Sequence, residues 1–191
     1  MNILISSFYE GKTIVVAVKK YNIDRVYLIH TYPTTAVLEQ SKPLIKKILD
    51  KTEIEFIEVL PYDLVKIVSS VNSIIEKEAK NEIYFNVTES RKTVSFGIML
   101  GASINSDKAK KLVYVQEETN EIISLPLFSI KASEMKLNIL GAIQKNELDN
   151  FKKEADSLNS LYVQLKDLRD NNYLDEDNRL TDLGQIVLMK K

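Results

Sequence analysis

The chain has 191 residues, one histidine, no cysteine and no tryptophan, and its formal net charge is −1 at pH 7. These features exclude disulfides, thiolate zinc centres and multi-histidine metal sites, and a neutral chain binds nucleic acid or phosphate only through local patches. No apolar run approaches about 20 residues, and the start lacks a basic-then-apolar leader pattern. We therefore expect a cytoplasmic protein without a membrane span, without a metal and without a cofactor.

Short apolar runs alternate with longer helical patterns over residues 1–128. The predicted strands are Asn2–Ser6, Arg25–His30, Glu53–Glu58, Glu82–Val87 and Leu112–Gln116, followed by a candidate edge strand, Glu121–Leu125. The predicted helices are Thr13–Lys20, Ala36–Asp50, Asp63–Ala79 and Arg91–Ser103. This alternation predicts an α/β fold with a doubly wound, Rossmann-like and mostly parallel sheet.

The pattern changes to helices alone after a hinge-like segment, Pro126 to Lys131. The expected helices are one that Ser133 opens, then Glu147–Glu154, Leu158–Asn171 and Asp182–Leu188, with an acidic wing at residues 175–179 before the last. Helix, short helix, longer helix, wing and closing helix within about 60 residues predict a small winged helix-turn-helix domain over residues 129–191.

The turn after the first strand, residues 6–13, reads SSFYEGKT and resembles a Walker A loop. Ser6 stands where that pattern has its first glycine, so a triphosphate cradle is not predicted and an ATPase or GTPase is a minor alternative. Ser6, Ser7 and Lys12 still lie between a strand end and a helix start, where backbone N–H groups and the helix dipole favour anions. The alternative is an ordinary loop with a solvated lysine.

A second polar segment, residues 86–93, follows the fourth strand and reads NVTESRKT. Asn86 and Thr88 can contact phosphate, ribose or base edges. Arg91 and Lys92 fall in the first helical turn, where cations oppose the helix dipole, and this placement favours an anionic partner over a solvated helix start. Both segments follow the carboxyl ends of parallel strands, where open α/β sheets bind ligands.

The helix behind this second segment is apolar nearly all round and carries Gly97 and Gly101 four residues apart. Such a helix is buried on more than one side. The glycines let another backbone approach closely, and either the chain's own sheet or a second subunit could supply it.

Strands one and four with their loops resemble the two signature motifs of CARF domains, the CRISPR-associated Rossmann-fold sensors. The second motif of that family is an apolar strand, then Asn-(Val/Ile)-Thr-Gly-Gly-(Thr/Arg)-Lys and a small-residue helix. The residues that match it are Asn86, Val87, Thr88, Arg91 and Lys92, whereas Glu89 and Ser90 replace the two glycines. With its tail, the chain is similar to the CARF–winged-helix regulators of archaeal CRISPR systems.

The resemblance implies a homodimer in which two CARF domains, residues 1–128 of each chain, enclose one cyclic oligoadenylate, most often cyclic tetra-adenylate. A two-fold axis suits a ligand of repeating identical units. The residues that the resemblance assigns to ligand binding are Ser6, Ser7, Asn86, Thr88, Arg91 and Lys92. Lys12 is added because of its own position in the first loop.

The tail sequence leaves its partner open. Residues 129–191 carry ten Lys or Arg and eleven Asp or Glu, a net charge of −1, whereas contacts with DNA phosphates favour basic faces. The candidate DNA-contacting residues are Ser157, Asn159, Ser160, Gln164, Lys166 and Arg169. The expected function is regulation of CRISPR gene transcription, in which ligand binding changes the geometry of two tails on promoter DNA.

A ring nuclease that cuts the cyclic messenger without metal is the main alternative. A ribose 2′-OH would attack its own phosphate in line, and the protein would position it and stabilise charge. By resemblance, Ser6 or Ser7 would act with Lys166 or Arg169. His30 could be a general base, although a histidine at a strand end is more often a satisfied polar residue. An unrelated Rossmann-like binder, or a tail that contacts protein, also remains open.

Overall fold

The computed structural model describes residues 1–31, 39, 42–43, 45–47, 49–130, 132–148 and 158–189. The chain divides into two compact units, Met1–Ser129 and Ile130–Lys191. Among the described residues, the first unit contains two clusters of buried apolar side chains and the second unit contains one. Each unit therefore has a hydrophobic core of its own.

The first unit is built on one sheet with the strand order β3-β2-β1-β4-β5-β6. The strands are β1 (Asn2–Ser7), β2 (Arg25–Thr31), β3 (Glu53–Val59), β4 (Glu82–Asn86), β5 (Ala109–Val115) and β6 (Ile122–Leu125). Strands β1 to β5 pair in parallel, and β6 pairs antiparallel to β5. The predicted α/β fold with a mostly parallel sheet is confirmed, and the predicted edge strand lies at the edge.

Between the parallel strands, the helices whose bounds the structure describes are α1 (Lys12–Tyr21), α2 (Leu64–Lys77) and α3 (Lys92–Ile104). Asp63 caps α2, because its carboxylate accepts a 3.0 Å hydrogen bond from the Lys66 backbone N–H. The apolar face of α2, which includes Ile67, Val68 and Val71, is buried. The predicted helix over residues 36–50 lies partly outside the described residues; those described at 39, 42–43 and 45–47 are helical.

Both faces of the sheet are covered by helices. Alternate residues of β1 point to opposite sides, so they join two different clusters of buried side chains. Ile3 and Ile5 join the cluster that contains the buried faces of α2 and α3. Leu4, between them, joins the other cluster, which contains Ile14 and Ala17 of α1. Burial on both faces explains why β1 and β2 contain continuous apolar runs.

Helices α2 and α3 pack closely through the two glycines of α3. A Cβ atom at Gly97 would lie 2.5 Å from Cγ2 of Ile67, and one at Gly101 would lie 2.5 Å from Cγ1 of Val71. The neighbour that the glycine spacing admits is thus a helix of the same chain. A second subunit is not needed to explain the spacing.

A buried carboxylate ties the end of α2 to the amino end of β2. Glu78 accepts hydrogen bonds from the Tyr27 hydroxyl at 2.5 Å and from the Arg25 and Asn81 side chains at 2.6 Å. Burial raises the pKa of Glu78, but these three hydrogen bonds together outweigh it and hold the pKa below its usual value. This anchor lies at the sheet edge opposite the loops that follow β1 and β4.

The second unit contains α4 (Glu134–Gln144), α5 (Leu158–Asp170) and α6 (Asp182–Leu188). Ser133 and Thr181 cap α4 and α6 with side-chain oxygens that accept backbone N–H groups. An isolated antiparallel bridge joins Leu174 to Leu180 around residues 175–179. The predicted short helix Glu147–Glu154 lies mostly outside the described residues.

No described helix combines the length and the apolar character that crossing a bilayer requires. This observation concerns the described residues alone.

Candidate functional site

A cleft of about 540 Å³ opens at the carboxyl ends of the strands. The strand order reverses between β1 and β4, which is the switch point where open α/β sheets bind ligands. Thr31, Glu117 and Asn120 lie in its wall, and the loops after β1 and β4 supply the remaining lining residues, which are Tyr9, Glu10, Lys12, Thr13, Thr88, Glu89, Ser90 and Arg91. The two predicted ligand-binding segments therefore meet in one cleft.

The loop after β1 closes around a carboxylate from the other segment. Oε2 of Glu89 accepts hydrogen bonds from the backbone N–H groups of Tyr9 at 3.2 Å, Glu10 at 2.8 Å and Gly11 at 2.5 Å. Oε1 accepts the Thr13 N–H at 2.9 Å and the Thr13 hydroxyl at 2.8 Å. Glu89 thus fills the anion-binding concavity that the sequence predicts at the start of α1.

Sequence reasoning missed this role of Glu89 and identified the residue only as a replacement for one glycine of the CARF-like motif. In the folded chain Glu89 is buried, with 7% of its surface exposed. Its donors lie 76 to 80 residues earlier in the chain, so no local spacing could identify them. The only available signal was a carboxylate in a segment expected to lie beside a helix N-terminus, where negative charge is favoured.

The polar residues at the strand ends bond to one another. Ser6 and Asn86 are register partners on β1 and β4, and Asn86 Nδ2 donates to Ser6 Oγ at 3.1 Å. Asn86 Oδ1 accepts the Thr88 hydroxyl at 2.6 Å, and Thr88 Oγ1 accepts the Val115 backbone N–H at 2.7 Å. This chain of hydrogen bonds joins β1, β4 and β5 directly at the switch point.

The predicted ligand-binding residues differ in how far their side chains are exposed to solvent. Ser6, Ser7 and Asn86 are fully buried, and the Ser7 hydroxyl has no hydrogen-bond partner among the described residues. Thr88 is half-buried and lines the cleft. The structure therefore brings Ser6, Asn86 and Thr88 together as an internal network, and only Thr88 of the three lines the cleft.

The predicted cations are exposed and differ in their partners. Arg91 lines the cleft, donates from Nη1 to the Tyr62 hydroxyl at 3.3 Å, and lies 5.9 Å from the centroid of that ring. Lys12 also lines the cleft and pairs with Glu10 at 2.8 Å. Lys92, at the first position of α3, is exposed but does not line the cleft.

Ser90 has a backbone conformation that glycine adopts more readily. Its φ angle is 98°, in the left-handed half of conformational space. Gly11, which precedes α1, has a φ angle of 87°. Ser90 stands at one of the two positions where the CARF-like motif has glycine, so the turn retains a glycine-like geometry although the residue has changed.

His30 is buried near the end of β2, and Nδ1 has no hydrogen-bond partner among the described residues. Burial lowers the pKa of His30; Glu58 raises it and Lys42 lowers it further. Its neighbour Thr31 lines the cleft, whereas His30 does not. The imidazole packs edge-on against Phe56, at 6.4 Å between ring centroids.

The predicted DNA-contacting residues lie in and beside α5. Lys166 is exposed, Gln164 is half-buried, and Arg169 donates to Asn178 Oδ1 at 2.8 Å, which fixes it to the segment between α5 and α6. Ser157 and the side chains of Asn159 and Ser160 lie outside the described part of the chain. Among the described residues, no three His, Cys, Asp or Glu side chains are grouped to hold a metal ion.

The strand-order reversal, the cleft beside it and the covering helices define a Rossmann-like α/β domain with a cleft at its topological switch point. A model of the family described as "HFX_2341_N:-like, N-terminal" matches residues 4–120. The chain belongs to this family. A comparison with curated proteins finds no match.

Solved structures share the fold at low sequence identity. Can2 from Sulfobacillus thermosulfidooxidans, in complex with cyclic tetra-adenylate, is 14% identical, with a TM-score of 0.53 over 98% of this chain and 64% of its own. Csm6 from Enterococcus italicus, bound to cyclic hexa-2′-fluoro-hexa-dAMP, is 15% identical, with a TM-score of 0.52 over 90% of this chain and 55% of its own.

Protein VC1899 from Vibrio cholerae is 12% identical, with a TM-score of 0.54 over 99% of this chain and 58% of its own. The chain therefore spans about half to two thirds of the length of these three proteins. At such identities the likeness establishes the fold alone.

Proposed function

We propose that this chain binds a cyclic oligoadenylate in the cleft at the switch point and acts as a sensor in CRISPR defence. The observation that carries the proposal is the meeting of both CARF-like segments in one cleft between β1 and β4. The fold supports it, since Can2 and Csm6 bind a cyclic tetra-adenylate and a cyclic hexanucleotide respectively. We also propose a cytoplasmic location, because the proposed ligand is an intracellular messenger.

The charges in the cleft favour Arg91 as the residue that contacts phosphate. Among the described residues, the lining contains two cations, Lys12 and Arg91, and three carboxylates, Glu10, Glu89 and Glu117. Lys12 is paired with Glu10, and the charge of Glu89 is stabilised by its five donors. Arg91 can offer a planar fork of donors to a phosphodiester, which is the geometry that arginine provides best.

The proposed assembly is a homodimer that holds one ring across its two-fold axis. A cyclic tetra-adenylate repeats one nucleotide four times, so two identical clefts can each contact half of it. The cleft in one chain has a volume of about 540 Å³, within the range of about 300–1,000 Å³ typical of small-ligand sites. Half of a four-nucleotide ring is a ligand of that class.

The second unit is proposed as a winged helix-turn-helix that regulates transcription. The expected domain division into residues 1–128 and 129–191 stays part of this proposal, and the boundary between the two compact units lies between Ser129 and Ile130. Helices α4, α5 and α6, with the bridge that closes residues 175–179 into a wing-like turn, support this interpretation. The candidates for DNA contact whose side chains the structure describes are Gln164, Lys166 and Arg169.

One experiment tests binding and separates a sensor from a ring nuclease. Purified protein is incubated with radiolabelled cyclic tetra-adenylate without metal, and the same tube is analysed on native and denaturing gels, with linear tetra-adenylate as control. We expect the ring to be retained intact, because the ring-nuclease alternative relies on Ser6 or Ser7 and both residues are fully buried.

Conversion of the ring to a linear product would replace the sensor by a ring nuclease and direct mutagenesis to Ser6, Ser7 and Lys166. Failure to bind rings of three, four or six nucleotides would contradict the proposed ligand. Analytical ultracentrifugation of the same samples tests the homodimer, for which the expected species has twice the mass of the chain.

A further inference from the structure

The geometry of Glu89 points to a role in ligand selection. Four backbone N–H groups and one hydroxyl converge on its two carboxylate oxygens, at distances from 2.5 to 3.2 Å. Each donor belongs to residues 9–13, the loop whose sequence resembles a phosphate-binding loop. Convergent N–H groups before a helix are the arrangement that binds phosphate oxygens in other folds.

The group that accepts four of the five backbone N–H groups of residues 9–13 belongs to the protein itself. A carboxylate presents two oxygens and one negative charge, and both oxygens are used: three donors reach Oε2 and two reach Oε1. A phosphate could bind these N–H groups only by displacing a buried carboxylate from all five. The loop is therefore shaped for an anion and closed to external ones.

We infer that Glu89 is a specificity-determining residue: it acts as a built-in anion that excludes terminal phosphates of nucleotides from the loop after β1 and holds that loop in its ligand-binding shape. This inference rests on the proposed function. A cyclic oligoadenylate has only diester phosphates and no terminal phosphate, whereas ATP and linear oligonucleotides with phosphorylated ends carry one. Diester phosphates then bind outside the loop, at Arg91.

Two substitutions of Glu89 separate the effect of filling the concavity from the effect of the negative charge. Glu89→Ala empties the concavity and leaves the donors free. Glu89→Gln keeps the shape, but its –NH₂ group must face either the three donors at Oε2 or the two at Oε1, because an amide nitrogen cannot accept them. Glu117→Gln removes one negative charge from the same cleft without touching these donors, and serves as the matched control.

The experiment measures the binding of inorganic phosphate to full-length wild type and variants. The readouts are the phosphate-dependent rise in melting temperature, against sodium chloride of equal ionic strength, and the amide NMR resonances of Gly11 and Thr13. We expect no phosphate-dependent rise for wild type or Glu117→Gln. We expect Glu89→Ala to bind phosphate at least tenfold more tightly than wild type, with both amide resonances shifted at saturation.

Two results would overturn the inference. One is a wild-type protein whose Gly11 and Thr13 amides respond to phosphate; this measurement needs no variant and is informative even if Glu89→Ala does not fold. The other is a folded Glu89→Ala or Glu89→Gln in which those resonances match the wild type and phosphate has no effect. Glu89→Gln is expected to show a partial shift of the same amides.

The failure of the proposed function gives a different result. Suppose that wild type binds no cyclic oligoadenylate, but Glu89→Ala gains phosphate binding. The inference that Glu89 closes the loop to phosphate then holds, whereas the proposed ligand of the cleft is wrong. If wild type binds the ring and Glu89→Ala binds ring and ATP with similar affinity, the selective role is supported directly. If the wild-type cleft already binds ATP as tightly as the variant does, Glu89 does not select against terminal phosphates.

Discussion

At the scale of single residues, alanine variants of Arg91 and Lys92 test the proposal that Arg91 contacts a phosphate of the ligand. Arg91 lines the cleft, and Lys92, the next residue, does not. We expect Arg91→Ala to weaken cyclic tetra-adenylate binding by about 10- to 150-fold, equivalent to one charge-assisted hydrogen bond of about 1.5–3 kcal/mol. Isothermal titration calorimetry measures the change.

Lys92→Ala is the matched control, because it removes one positive charge from the same helix start. It should weaken binding severalfold less than Arg91→Ala at physiological salt, where charges outside the cleft are screened. Equal losses in the two variants would indicate that the affinity depends on the net charge of the helix start instead of a contact from Arg91.

Ser90 provides a test of backbone strain in the same segment. A non-glycine residue at a φ angle of 98° is strained by about 1–2 kcal/mol. Ser90→Gly should therefore raise the free energy of unfolding by about 1 kcal/mol, measured by denaturant titration. Ser95→Gly, in the helical conformation of α3, should lower it by about 0.5–1 kcal/mol. A lower free energy of unfolding for Ser90→Gly than for wild type would contradict a strained backbone at Ser90.

His30 is the only histidine in the chain, so its NMR titration is unambiguous. Burial lowers the pKa of His30 in the folded state, whereas the unfolded value is about 6.5. The unfolded chain then binds more protons at mildly acidic pH. The contribution of His30 to stability is complete above about pH 6.5 and declines as the pH falls towards the folded value.

We expect the Hε1 resonance of His30 to titrate with a midpoint below 6.5. The melting temperature of the wild type should fall more than that of His30→Gln between pH 7.5 and pH 5.5. A midpoint at or above 6.5 would show that the carboxylate of Glu58 outweighs burial.

At the scale of secondary-structure elements, the packing of α2 against α3 determines the stability of one face of the sheet. Gly97→Ala would place a Cβ atom 2.5 Å from Cγ2 of the fully buried Ile67. We expect the substitution to lower the free energy of unfolding by about 1–3 kcal/mol, since overpacking forces the helices apart. Circular dichroism during thermal or denaturant unfolding measures it.

The same substitution at Gly141 is the control. A Cβ atom there would meet nothing within 4 Å, so Gly141→Ala in α4 should stabilise its helix by up to about 1 kcal/mol. In a double-mutant cycle, Gly97→Ala and Ile67→Ala together should cost less than the sum of their separate losses, because removing the Ile67 side chain relieves the overlap. A neutral Gly97→Ala would contradict the close approach of α2 and α3.

The elements themselves were predictable because their signals are local. The α2 face with Ile67, Val68 and Val71 repeats at helical spacing, and the apolar runs of β1 to β5 are bounded by polar segments. The partner of α3 was not predictable, since glycines four residues apart permit a close approach without specifying which surface approaches. Only the folded chain shows that this surface is the face of α2 with Ile67 and Val71.

At the scale of the whole molecule, the proposed sensor requires that its two units influence each other's ligands. Thermodynamic linkage requires cyclic oligoadenylate and promoter DNA to change each other's affinity by the same factor. We expect a 5- to 150-fold effect, about 1–3 kcal/mol of coupling, in fluorescence anisotropy titrations of DNA with and without saturating ring. An unchanged DNA affinity would remove the regulatory mechanism.

The salt dependence of the same titration identifies the partner of the second unit. DNA binding through several phosphates weakens steeply as salt rises, whereas a tail that contacts protein does not require such a slope. Lys166→Ala should reduce the slope by about one phosphate contact. A slope that Lys166→Ala leaves unchanged would contradict the assignment of Lys166 to the DNA interface.

By itself, the sequence determined the α/β class, the parallel sheet and the two loops that meet at its carboxyl edge. These follow from hydrophobic periodicity and from the topological rule that places such loops together. Only the tertiary structure decided which polar groups face the cleft and which bond to one another. Ser6 and Asn86 are buried because β1 and β4 pair in that register, and Glu89 fills the first loop because that pairing brings it to donors 76 to 80 residues away.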